Sequence, residues 1–180
     1  TQFGGGTIPL VEDDWEISQG MTMPALYAMR ARRYMHEFGA TVEQLAKVSV
    51  KARSHGARNP DAQFQKTVTV DEVLGSRPIA DPLTLLQCCP TGDGAAAAII
   101  CASDVAGQFE AEPVKILASE LCSGKFTNGF RDMTSMEIAV RGAGIAYEQA
   151  GLGPDDIDVA EVHDAFSIAE LLYYEAFGFC

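Results

Sequence analysis

Apolar residues recur along this chain at two different periods, and the change between them divides it. Between residues 22 and 58 they fall three and four apart, the spacing of amphipathic helices. Thr22-Met23-Pro24 reads as a helix start, with a capping hydroxyl shortly before a proline in the first turn. Leu26, Met29 and Met35 carry that helix on, and Gly39 stops it. Thr41-Val42-Glu43-Gln44 is a capping box for a second helix, with Leu45, Val48 and Ala52 on one face and Asn59-Pro60 at its end. Residues 61–82 read as irregular, apart from a short helix at Asp71–Leu74. From Leu83 the pattern alternates. Ala95–Ala102 is a small-residue apolar run, readable as a buried strand or a tight helix, and Ser103 caps a short helix to Phe109. Val114–Leu121 reads as a strand, Ser123–Arg131 as a polar loop, and Met133–Ala150 as a helix ended by Gly151. Gly153-Pro154-Asp155 turns the chain into a further strand. This order predicts an α/β fold in which helices cover a layered sheet.

The last stretch, Ile157–Cys180, is the most informative. It begins as a strand (Ile157, Val159, Val162), stops at His163-Asp164, and becomes a helix with Phe166, Ala169, Leu172 and Tyr173 at helical spacing. His163 is therefore expected at the carboxyl end of a strand and beside the amino end of a helix, where ligands bind in open α/β sheets. The partial positive charge of a helix amino end disfavours a protonated imidazole. Asp164 acts in the opposite sense and equally suits the helix cap. A neutral imidazole there can give an N–H to a developing oxyanion; on pattern alone, satisfying a strand end through a backbone hydrogen bond is the favoured role.

Composition and charge narrow the class. Apolar residues make up 47% and charged residues 21% of the 180, as in a globular protein. No apolar run reaches membrane-spanning length and no signal peptide is visible, so a cytoplasmic location is the expectation. The net charge of −12 argues against general nucleic-acid binding. Residues 30–66 depart from this balance. They hold eight of the 13 Lys and Arg but three acids (Glu37, Glu43, Asp61), giving +5 against −17 elsewhere. A basic segment in an acidic protein fits either a local anionic ligand or two solvated helix faces.

Five cysteines without a C-x-x-C pair point away from a disulfide framework and from a zinc site, so no metal is expected. Cys88-Cys89 invites a nucleophile reading, but buried reduced thiols are the commoner case. His36 and His55 lie among helical polar positions, and Tyr173-Tyr174 is expected to pack the last helix. Glu12–Glu16 reads as an acidic linker. The Gly-rich opening and the apolar close on Cys180 give the expectation of a piece of a longer protein.

Three stretches resemble the sterol-carrier-protein type of the thiolase superfamily. They are HDAFSIAELLYYEAFGFC at the end of the chain, LTLLQCCPTGDGAAAAIICAS at Leu83–Ser103, and YMHEFGATVEQLAKVSVKARSHGARNPDAQFQ at Tyr34–Gln65. The likeness runs from about Met21 to the last residue. It implies a thiolase-like α/β layered fold, here part of one αβ half-domain preceded by a mainly helical loop domain. Residues 1–20 would be a linker from an absent amino-terminal half, 21–82 the loop domain that covers the active site, and 83–180 a partial carboxy-terminal half-domain. The implied substrate is a coenzyme A thioester, with no separate cofactor. His163 would stabilise the thioester enolate or oxyanion, and Phe166 would line the acyl pocket. Lys51, Arg53 and His55 would meet the phosphates of coenzyme A, since cationic groups suit phosphate.

The resemblance also implies that the acylated cysteine, a Gly-His-Pro histidine and a late acid/base cysteine lie outside Thr1–Cys180, so the intact protein would catalyse thiolysis or Claisen condensation of 3-oxoacyl-CoA and this chain alone would not. Two alternatives stand beside it: a thiolase-fold retro-aldolase acting on acyl-CoA side chains with a small OB-fold partner subunit, and a non-catalytic module that binds coenzyme A or lipid. Thiolases also imply a homodimer or tetramer.

Overall fold

A computed structural model describes residues 18–125 and 132–180. The Gly-rich opening, the acidic linker and part of the expected 123–131 loop lie outside the described residues.

Helix α1 spans Met23–Phe38, with Pro24 in its first turn and Gly39 in the left-handed conformation (φ 70°) at its end, where the Gly39 N–H bonds the Met35 carbonyl. Thr22 takes the extended N-cap conformation but its hydroxyl makes no capping bond. Helix α2 spans Val42–Gly56 and opens on the full capping box. The Gln44 N–H donates to Thr41 Oγ1 (3.3 Å), and the Thr41 N–H donates to Gln44 Oε1 (2.8 Å). A second such box, Thr69 with Glu72, starts the five-residue α3 at Val70–Leu74. The stretch expected to be irregular then forms a small antiparallel pair, β1 (Pro78–Ala80) with β2 (Leu83–Thr84), Pro78 lying opposite Thr84. Helix α4 covers Glu137–Ala150, four residues shorter at its start than expected, and ends on left-handed Gly151 (φ 68°). Helix α5 covers Ser167–Ala176.

One apolar cluster joins these parts: Ala28 and Ala31 from α1, Leu45 from α2, Leu83 from β2, and Phe166, Ile168 and Leu172 around α5. Leu45, Leu83 and Ile168 are fully buried, each contributing roughly 1.5–3 kcal/mol relative to an exposed side chain. The cluster crosses the expected division at residues 82/83. Helices α1 and α2 therefore sit directly on the final helix.

The two expected strands, and the 95–102 run read as a strand or a tight helix, are a correction. Among the described residues, 95–102, 114–121 and 157–162 carry no regular secondary structure and pair with no neighbour. Val114, Leu121 and Val159 are 92%, 94% and 80% exposed. Alternating or branched apolar residues report which faces a segment would bury. A strand exists only when a neighbour takes up its N–H and C=O groups, and no described segment runs beside these. The short helix expected from Ser103 contracts to one 3₁₀ turn at Ala106–Gln108. No helix among the described residues is long and apolar enough to cross a membrane.

Candidate active site

The turn at His163-Asp164-Ala165-Phe166 is held in place by the segment that carries Cys88 and Cys89. Cys88 and Phe166 form an isolated antiparallel bridge, and the Cys89 N–H donates to the Ala165 carbonyl (2.8 Å). Behind the bridge, buried Gln87 donates through Nε2 to the buried Ser167 hydroxyl (3.3 Å) and accepts the Thr84 N–H at Oε1 (3.0 Å). The Thr84 hydroxyl donates in turn to the Val73 carbonyl (2.7 Å). Phe166, at the N-cap of α5, provides no side-chain cap; the amide of Gln87 ties the helix start to the rest of the fold instead. Asp164, the other candidate cap, does not serve as one.

A cleft of about 280 Å³ opens between α2 and this segment. Ser49, Arg53, Phe64, Cys89, Asp164 and Ser167 are on its walls. A larger cavity of about 620 Å³ lies on the other side of α2, between Tyr34, Lys47, Lys51, Glu170 and Tyr174. The smaller cleft is the better candidate for chemistry because it reaches Asp164, and with it the turn that presents His163.

His163 is exposed and makes no side-chain hydrogen bond to the described residues. Its neighbour Asp164 is half-buried. Burial pushes the Asp164 carboxyl above its usual range and the nearby Glu170 charge pushes it further, against the opposing pull of its own backbone hydrogen bond, Lys51 and His163. Asp164 also bends the chain locally, its N–H reaching the Val162 carbonyl (3.1 Å). His163 is thus exposed beside an acid whose carboxyl pKa burial raises.

The expected phosphate ligands part company. Arg53 is on the cleft wall with its guanidinium 3.9 Å from the centre of the Phe64 ring. His55 is exposed near the end of α2, outside the cleft. Lys51 is turned to α5: its ammonium pairs with the Glu170 carboxylate and donates to the Tyr174 hydroxyl (3.0 Å). Burial works against the charge on Lys51, but these hydrogen bonds outweigh it and raise its pKa. Phe166 is 4% exposed and stacks on Tyr27 (ring centroids 4.7 Å, 26°). Its ring belongs to the core and not to the cleft wall, because the chain turns at that residue and sends the side chain toward α1.

Of the eight basic residues in 30–66, five are engaged within the chain: Arg30 with the Met133 and Ser135 carbonyls, Arg32 with Asp81, Arg33 with Glu37, Lys51 with Glu170, and Arg53 over Phe64. Cys88 is pushed up to about 11, by burial first and by the neighbouring Cys89 second, and its thiol donates to the Thr84 carbonyl (3.4 Å). A thiol held protonated is a poor nucleophile at neutral pH. Gln87, Ser167 and Glu170 escaped the sequence reading, and Tyr174 was expected only to pack the last helix. Glu170 did leave a signal, an acid on the face that Phe166, Ala169 and Tyr173 mark as apolar.

Comparison with known proteins bears on the family and the fold. Residues 120–180 match the family model described as thiolase C-terminal domain-like. A benzoylsuccinyl-CoA thiolase subunit (BbsB) of Thauera aromatica is 45% identical over 168 residues, 93% of this chain and 44% of that relative. An acetyl-CoA acetyltransferase of Methanothermobacter thermautotrophicus is 47% identical, again over 93% of this chain and 44% of the relative. Sterol carrier protein 2 of Oryctolagus cuniculus is 42% identical over 87% of this chain and 30% of its own length. A solved structure described as an Ltp2-ChsH2(DUF35) aldolase superposes with a TM-score of 0.83 at 33% identity, covering 92% of this chain and 45% of that one. The chain thus spans less than half the length of these relatives, and the α/β thiolase-like fold is the one it shares. It belongs to the thiolase superfamily.

Proposed function

We propose that the whole protein is an acyl-CoA acyltransferase, cleaving 3-oxoacyl-CoA by thiolysis or forming it by Claisen condensation. The carrying observation is the exposed imidazole of His163 on a turn clamped by the Cys88–Phe166 bridge, next in sequence to Asp164 on the cleft wall. Cleavage or formation of the carbon–carbon bond beside a thioester places negative charge on the thioester oxygen. An N–H fixed before that charge develops stabilises it without reorganisation. In this reading His163 donates to that oxygen, and the clamp holds the donor still. Arg53 and His55 serve the phosphates of coenzyme A. Lys51, already bound to Glu170, does so only with its solvent side. Cys88, held protonated, does not supply the nucleophile. The relatives named as thiolase and acetyltransferase support the choice of reaction. A homodimer or tetramer in the cytoplasm fits the same reading.

The solved neighbour described as an aldolase supports a second reading, retro-aldol cleavage of an acyl-CoA side chain with a small OB-fold partner. The two part on one requirement. Thiolysis consumes free coenzyme A as the group that accepts the acyl fragment, whereas aldol cleavage does not. Incubating the intact protein with acetoacetyl-CoA, and separately with a β-hydroxyacyl-CoA, each with and without free coenzyme A, decides between them. Cleavage to acetyl-CoA only when coenzyme A is present supports the acyltransferase. Cleavage of a β-hydroxyacyl-CoA without coenzyme A replaces it with the aldolase.

A further inference from the structure

Among the described residues Glu170 is the one acidic side chain that the fold buries, 2% exposed on the apolar face of α5. A carboxylate there is costly unless it is paired. Two partners meet it: Lys51, arriving from α2, and Tyr174, one turn further along α5, whose hydroxyl donates to the same carboxylate oxygen. Lys51 Nζ also lies 3.0 Å from the Tyr174 hydroxyl, which closes the cluster. Buried ion pairs of this kind add little stability over an apolar replacement of the same shape, so stability alone does not account for the arrangement. It does two other things. It fixes the seat of α2, one wall of the cleft, on the helix that follows His163, and it sets opposite charges near Asp164.

We propose that Lys51, Glu170 and Tyr174 form a positioning cluster that fastens α2 to α5 and balances the charge felt by the Asp164–His163 turn. The charged groups that act on Asp164 are Glu170 on α5, Lys51 on α2 and His163 beside it, and Arg53, Cys88 and Cys89 line the same cleft. Of these, Glu170 and Lys51 act on its carboxyl in opposite senses. The proposal rests on the reading of that turn as the reactive one, but its main test does not need turnover.

Glu170→Gln removes a charge while keeping size and the bond from Tyr174. Lys51→Met keeps the stem and removes the cation. In the intact protein labelled with carboxyl-¹³C aspartate, the Asp164 resonance is assigned by its loss in Asp164→Asn. Its titration midpoint is expected to fall in Glu170→Gln and to rise in Lys51→Met, by about half a pH unit each, with Lys51→Arg close to wild type. Turnover is expected to fall about tenfold in both charge-removing variants, with KM unchanged in Glu170→Gln, the sign of an interaction that matters in the transition state, and with KM raised as well in Lys51→Met, which also loses its solvent-side contact to phosphate. Midpoints that stay put, or that move together in both variants, overturn the proposal. Midpoints that separate in a protein with no thioester turnover support the cluster and defeat the acyltransferase reading alone.

Discussion

At the scale of single residues, the turn at His163–Phe166 is defined by what holds it and by what leaves it exposed. Cys88 is fixed by the bridge to Phe166 and by its own bond to the Thr84 carbonyl, and burial keeps it protonated. Alkylation with iodoacetamide at pH 8, mapped by peptide mass, is therefore expected at exposed Cys89, Cys101 and Cys180 long before Cys88. Fast labelling of Cys88 would contradict its protonated, packed state. The same shift has a consequence for stability. The folded Cys88 thiol ionises near pH 11 against 9.0 for the free group, so its contribution is complete below pH 9 and is lost as pH rises through 11. Urea midpoints measured from pH 8 to 11 should fall less steeply in Cys88→Ala than in wild type. An identical slope would show that the thiol is not linked to folding.

At the scale of elements, the helices were legible and the strands were not. The Thr41/Gln44 box and the Gly39 and Gly151 stops appear as read, because a cap is a local bond between residues three or four apart and needs nothing from elsewhere. Removing the box hydroxyl with Thr41→Ala should cost about 1 kcal/mol in chemical unfolding; a cost near zero would mean that packing of Leu45, not capping, sets where α2 begins. Val114–Leu121 and Ile157–Val162 failed for the converse reason, since a strand depends on a partner that its own residues do not specify. The β1–β2 pair was missed because two or three residues are too few to show a period. At the end of α2, Gly56 marks a close approach that the sequence did not show. A Cβ there would stand 2.8 Å from the Phe64 carbonyl oxygen. Alanine normally gains about 1 kcal/mol over glycine in a helix, but this contact forces the turn carrying Phe64 to move at a cost of roughly 1–3 kcal/mol. Gly56→Ala should therefore lower the melting temperature and disturb the Arg53–Phe64 stack; a rise would show that the turn yields freely.

At the scale of the whole molecule, the site joins regions far apart in sequence: α2, the Gln87–Cys89 segment and the start of α5. The resemblance singled out His163 as a candidate from its motif, but Gln87, Ser167 and Glu170 act through contacts 80 or more residues apart or through burial, which no local pattern encodes. The exposed apolar residues of 99–121 and Val159 are the counterpart on the outer side. Surfaces of that kind mark where other polypeptide is accommodated, and they fit a chain spanning less than half of its relatives' length.

The measurement that bears most directly on the account is steady-state thiolysis of acetoacetyl-CoA by the intact protein, wild type against His163→Ala. Loss of one preorganised oxyanion donor predicts a fall in kcat of about 10²–10³-fold with little change in KM. A His163→Ala protein that turns over at the wild-type rate would contradict the assignment of this turn as the catalytic one.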